Sequence, residues 1–160
     1  MPQFALRVKA DLENIESITW DIQNQWCLVV QNPNTQERCE AYFCLEDLME
    51  LNGSRGTANF IKKWDGEQSQ SYLKMVNVKK VTGATEITAA DNDSWVVLFA
   101  IECRGLEPVE WMPKLDFQVK STGGVKFDEV DIEDGLWADY DAENDMPVSI
   151  QELTHEFFVC

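Results

Sequence analysis

Hydrophobic and polar residues alternate along most of this chain, with a period of two. Phe4, Leu6, Val8, Ala10 and Leu12 interleave with Ala5, Arg7, Lys9 and Asp11. That is the pattern of a half-buried strand, whose side chains point to opposite faces in turn. Residues 26–30 form a short apolar strand, and residues 38–45 read as its hairpin partner. The link, Asn32-Pro33-Asn34-Thr35, puts Pro at the second position of a β-turn. Residues 46–50 suit one helical turn, and Gly53-Ser54-Arg55-Gly56 interrupts regular structure.

Residues 57–64 predict a strand with Ala58, Phe60, Lys62 and Trp64 on one face. Asp65-Gly66 is a tight-hairpin signal, and residues 72–81 form the returning strand. Residues 84–94 are polar and loop-like. Residues 95–101 are apolar at every position, as expected of a strand covered on both faces. Strands at 116–120 and 125–130, joined by Ser121-Thr122-Gly123-Gly124, and a last strand at 150–159 complete the pattern. Strand signals at such short, regular spacing predict an all-β sandwich or barrel with short helical turns only. No repeat or low-complexity linker divides the chain, so a single domain over 1–160 is expected.

Composition adds a core and a charge asymmetry. Hydrophobic residues make up 44%, with six Trp and eight Phe, enough apolar material for a packed interior. The net charge is -16. Residues 1–126 carry thirteen basic and eighteen acidic side chains, whereas 127–160 carry eleven acidic and no basic ones. Trp137 and Tyr140 inside this acidic third indicate that it packs on the body. The charge serves solubility and repels nucleic acid and anionic membranes; a protein partner with a basic patch is attracted. No apolar run reaches the roughly 18 residues of a membrane span, and the N-terminus lacks a signal-peptide pattern. The expected address is the cytoplasm and the expected state a monomer.

Candidate chemistry is sparse. Cys27, Cys39, Cys44, Cys103 and Cys160 are odd in number, widely spaced and form no CxxC, which argues against a disulfide framework. Cys39 and Cys44, five apart in a strand, point to opposite faces. The run from Asp139 to Glu143 starts like a calcium loop, but the sixth position is Asn144 and the twelfth is Ile150. His155 is the one histidine, sharing a strand face with Leu153 and Phe157; a Cys–His pair such as Cys103–His155 would need spatial contact, and a structural role for the imidazole is favoured. Residues 53–57 lack the Lys-Ser/Thr of a phosphate loop. Arg55 and Arg104 each adjoin a Gly and suit an internal ion pair or a carboxylate ligand. Trp20, Trp64, Trp111 and Trp137 lie near predicted turns, as core corners or interface anchors.

Several strings together resemble one family. They are Lys9-Ala10-Asp11-Leu12-Glu13-Asn14-Ile15, Arg55-Gly56-Thr57-Ala58, Glu102-Cys103-Arg104-Gly105-Leu106-Glu107-Pro108-Val109, Trp137-Ala138-Asp139-Tyr140-Asp141 and Thr154-His155-Glu156-Phe157, with the terminal Cys160. In order and spacing they resemble the eukaryotic CXXC-motif-containing zinc-binding proteins, end to end. The resemblance implies a multi-sheet β body with sandwich and barrel features and an intracellular, non-enzymatic role. It also implies a Cys₄ zinc site at two hairpin tips, and there this sequence departs. The ligand positions fall on Asn32, Thr35, Trp64 and Glu67, none a cysteine. Metal binding is therefore not carried over: no cofactor is expected, and turn chemistry plus burial of Trp64 replace the metal cross-link. The resulting expectation is a protein-interaction module, with Arg55, Arg104, Trp137, Asp139 and Asp141 as contact candidates. The alternative is a metal-handling protein using the remaining thiols or acidic residues.

Overall fold

A computed structural model of the protein describes residues 2–21, 25–53, 56–77, 83–114 and 116–160. Its largest sheet is antiparallel and curls into a half-barrel. It runs from β14 (Trp137–Asp141) through β15 (Met146–Val159), β1 (Gln3–Glu13), β10 (Val96–Arg104) and β8 (Ser71–Val76) to β7 (Phe60–Lys62). A three-stranded sheet orders β11 (Glu107–Met112), β3 (Trp26–Gln31) and β4 (Arg38–Phe43). A four-stranded sheet orders β13 (Lys126–Val130), β12 (Phe117–Ser121), β2 (Ile15–Trp20) and β9 (Glu86–Thr88). The short pair β5 (Met49–Glu50) and β6 (Thr57–Ala58) stands apart. The all-β, multi-sheet expectation therefore holds, and the acidic third joins the body through β13, β14 and β15.

The core lies where the three larger sheets meet. Trp26 of β3 packs edge-on to Trp20 of β2 at 6.3 Å and tilted on Phe99 of β10 at 4.8 Å, so one ring touches all three. Phe43 of β4 reaches the same Phe99 at 6.0 Å. Offset and edge-to-face geometries such as these suit aromatic quadrupoles. The apolar run of β10 is paired by β1 along its length and by β8 from Ala100 onward, and most of its side chains are buried.

The chain changes sheets at Asn14, where φ is 56° and β1 gives way to β2. Asn tolerates this left-handed conformation better than most residues. Farther along, β15 is irregular: Lys9 faces Thr154 but Asp11 faces Gln151, and Glu152 has φ 52°. This β-bulge switches the parity of the strand. Val148 and Ile150 face the core before it; Leu153 and Phe157 pack on the core after it.

Four local expectations are corrected. Residues 46–50 are not helical. Asp47 N–H bonds the Cys44 carbonyl at 3.1 Å, the Asp47 carboxylate accepts the Cys44 N–H at 3.0 Å, and β5 follows. The strand at 57–64 is split at Asn59 into β6 and β7. Asp65-Gly66 turns the chain through a Glu67 N–H to Trp64 carbonyl bond of 3.1 Å, but this turn sits inside the eight-residue link 63–70, not in a two-residue hairpin. The polar stretch 84–94 contains β9 and a single 3₁₀ turn, Ala89–Asp91. Three further strands, β2, β11 and β14, escape the sequence pattern. The returning strand is described only through Val76 as β8; residues 78–81 lie outside the described residues.

Candidate functional site

The tip positions Asn32 and Glu67 meet. Asn32 is 1% exposed, and its amide Nδ2 donates to Glu67 Oε1 at 3.0 Å. Its Oδ1 accepts the Asn34 N–H at 2.9 Å, an Asx-turn, and its carbonyl accepts the Gln36 N–H at 2.8 Å. That closure is one residue wider than the β-turn expected at 32–35, with Gln36 at φ 64°. Thr35 Oγ1 receives the Glu37 N–H at 3.3 Å.

Trp64 fills the second tip. It is 1% exposed, Lys62 Nζ lies 5.6 Å from its ring centre, and its indole N–H donates to the Gly105 carbonyl at 2.9 Å. Gly105 has φ 72°, and a Cβ there would stand 2.2 Å from Ser71 Oγ, so only glycine fits. Gly105 thus receives the Trp64 indole.

A structural zinc needs four N, O or S ligands at roughly 2.0–2.3 Å in a tetrahedron. These residues do not fit it. The Asn32 amide is spent on Glu67 and Asn34, Thr35 on its own turn, and an indole N–H is no metal ligand. Only the Glu67 carboxylate remains. Among the described residues no group of three or more His, Cys, Asp or Glu is arranged to hold a metal.

The other sequence candidates are dispersed. All five cysteines are free thiols. Burial, with help from Glu102 and Glu107, pushes the Cys103 thiol up to about 12; burial also raises Cys27 and Cys39. Cys44 lies one residue past the end of β4, in the 44–47 turn, so strand parity does not reach it. His155 and Val96 both pair with Val8, whereas Cys103 sits seven residues farther along β10. At about 3.3 Å per strand residue the two side chains are on the order of 20 Å apart. His155 instead ties two sheets: its Nε2 accepts the Trp111 backbone N–H at 3.1 Å. Burial lowers its affinity for a proton, partly offset by Glu110.

Arg104 is exposed and forms no ion pair among the described residues; Arg55 lies outside the described residues. Trp137 is half-buried against Phe127 at 5.3 Å, and Trp20 and Trp111 also pack inward. Asp139 is exposed, its carboxylate bonded to the Tyr140 N–H. Asp141 is fully buried and receives Ser121 Oγ at 2.7 Å and Asn144 Nδ2 at 2.9 Å, which clasps the 121–124 turn.

Sequence reasoning missed Asn59. It is 3% exposed, and its amide donates to the carbonyls of Cys44, Leu45 and Asp47 while its Oδ1 accepts the Met75 N–H. A polar residue inside a predicted strand was the available signal. The loop it braces presents Leu45, Leu48 and Met49 to solvent, at 48%, 66% and 41% exposure.

Residues 5–158 match the family model described as "CXXC motif containing zinc binding protein, eukaryotic". The human protein of that name is 29% identical, with both chains covered completely, and a Drosophila melanogaster UPF0587 protein is 27% identical over 98% of this chain and 97% of its own. A solved Plasmodium falciparum hypothetical protein superposes with a TM-score of 0.83 at 30% identity, covering 99% of this chain and all of that one.

Proposed function

This chain belongs to the eukaryotic family of CXXC motif containing zinc binding proteins, and from that premise we propose that it is a metal-free, non-enzymatic member acting as a protein-interaction module. The observation that carries the reading is the direct contact between the two tips. Where the resemblance places four thiolates, an Asn32–Glu67 hydrogen bond joins the two segments, and a buried Trp64 ties the second of them to the Gly105 carbonyl. A structural zinc supplies on the order of 10 kcal/mol or more of apparent folding free energy. Here packing and turn chemistry hold the tips together instead.

The interaction role is supported by what remains on the surface. The net charge is -16, and the exposed apolar side chains Leu45, Leu48 and Met49 sit on a loop that Asn59 holds rigidly. Preordered apolar contacts of this kind lower the entropic cost of association. A partner with a basic patch is the natural complement, and its binding weakens as salt screens the acidic surface. The separation of Cys103 from His155 and the burial that raises the Cys103 thiol argue against thiol catalysis. Free thiols throughout suit the cytoplasm; no helix of the described residues is long and apolar enough to cross a membrane.

Elemental analysis of untagged protein, before and after chelation, tests the proposal. Below about a tenth of an equivalent of zinc, with cooperative unfolding retained after chelation, is the expected result. Close to one equivalent would overturn it and favour metal handling through the remaining thiols.

A further inference from the structure

The link between β5 and β6 carries Asn52 followed by Gly53, and Asn52 is the one asparagine of the chain that precedes a glycine. Both residues are exposed. The Leu51 N–H bonds the Gly56 carbonyl at 3.1 Å, and the Asn52 N–H bonds Gln70 Oε1 at 2.8 Å. The side-chain amide of Asn52 and the backbone N–H of Gly53 make no hydrogen bond among the described residues. Gly53 has φ 71°, and a Cβ there would meet nothing within 4 Å, so the space beside its backbone is open. Other asparagines are tied down or badly followed. Asn14 Nδ2 bonds the Pro147 carbonyl, Asn92 Oδ1 accepts the Leu12 N–H, and Asn144 Nδ2 bonds Asp141. Asn32 precedes Pro33, which has no N–H, and Asn34 precedes β-branched Thr35.

These features meet the needs of one reaction. A backbone N–H that gives its proton to hydroxide becomes a nucleophile, and the amide carbon of the preceding asparagine is close enough in the chain for ring closure. The Gly53 nitrogen forms a bond to Asn52 Cγ, the bond from Cγ to the amide nitrogen breaks, and that nitrogen leaves as ammonia. Water then opens the resulting succinimide. Opening at Cγ gives aspartate. Opening at the former Asn52 main-chain carbonyl gives isoaspartate, in which the chain runs through Cβ. Glycine favours the closure, since no Cβ crowds its nitrogen and its backbone turns freely.

We propose that Asn52-Gly53 is a self-modifying site of the folded protein, which converts by ring closure and hydrolysis to aspartate and isoaspartate and so makes the aged chain a substrate for an isoaspartate-specific carboxyl methyltransferase. The product adds a negative charge to an already acidic chain. As isoaspartate it also adds a methylene to the backbone between the paired residues Met49–Glu50 and Thr57–Ala58, beside the exposed Leu48 and Met49. Asp65-Gly66 and Asp134-Gly135 can cyclise by the same route, but they lose and regain water with no change of charge. Neither metal content nor partner binding enters the reaction, so it stands or falls apart from the reading above.

The full chain, aged at neutral pH with chelator and reductant, is followed by isoelectric focusing, ammonia release and peptide mapping. A more acidic band is expected to grow with time, and faster as hydroxide is raised. Aspartate and isoaspartate should map to residue 52, and the methyltransferase should label the same peptide. Asn52→Gln, whose melting temperature verifies its fold, must close a larger ring and should form that band about tenfold or more slowly. Urea-unfolded chain should react within about tenfold of the native rate, because an exposed turn needs no unfolding to reach the reactive geometry. An unchanged rate in Asn52→Gln, first deamidation at another asparagine, or reaction confined to the unfolded chain overturns the proposal.

Discussion

Replacing Trp64 by Ala removes the largest fully buried side chain among the described residues. Two costs add. Truncating a buried Trp in a packed interior costs about 3–5 kcal/mol through lost transfer energy and the cavity left behind. The Gly105 carbonyl also loses its 2.9 Å indole donor, which costs more if water cannot reach it. For a chain of this length each kcal/mol lowers the melting temperature by roughly 2–4 °C, so the truncation alone gives a drop on the order of 6–20 °C, and the lost donor adds to it. The assay is scanning calorimetry with urea unfolding as a second probe, in chelator throughout. Trp64→Phe separates the terms in part: it keeps most of the apolar area but loses the N–H and one ring, so its drop should be a fraction of the first. An unchanged midpoint in Trp64→Ala, or a wild-type midpoint that falls on chelation, would refute the argument that packing has taken the place of a metal cross-link.

Asn59→Ala should cost about 2–4 kcal/mol, since three loop carbonyls and the Met75 N–H lose their partner; hydrogen exchange at residues 44–48 should accelerate well beyond the global change, and uniform exchange would count against a bracing role. Asp141 is held below the ordinary carboxylate range: burial opposes its charge, but hydrogen bonds from Ser121, Asn144 and the Glu143 backbone outweigh that. Its stabilising contribution is therefore present above the unfolded value of about 3.9 and lost as pH falls through the lower folded value, so Asp141→Asn should flatten the stability profile at that acid end. His155 is likewise lowered, by burial first, so the unfolded chain takes up a proton earlier and stability falls as pH drops below about 6.5; His155→Gln should remove that slope, and an identical slope in the variant would contradict it. Thiol titration of the native protein should modify exposed Cys160 first and leave Cys103 unreacted until denaturant is added; fast labelling of Cys103 would revive a catalytic reading.

Local pattern determined the class of this protein and much of its strand list. Alternation of Phe4, Leu6 and Val8 and the apolar run of residues 96–101 demand strands with one or two covered faces, whatever the rest of the chain does. The absence of CxxC was equally plain. Pattern failed where one residue in a strand behaves differently from its neighbours. The bulge at Glu152 moves the core face of β15 from Val148 and Ile150 to Leu153 and Phe157, a change of parity that alternation on either side does not announce. Asn59 reads as a polar position on a strand until the 44–47 loop is folded over it. Trp111 and His155, forty-four residues apart, become partners only when the three-stranded sheet packs on the half-barrel. The same packing turns Asp141 inward to Ser121 and gathers Glu110, Glu133 and Asp134 around one cleft. Periodicity fixes which face a side chain takes along its own strand. Register, bulges and close packing decide what that face meets, and those depend on contacts between segments far apart in sequence.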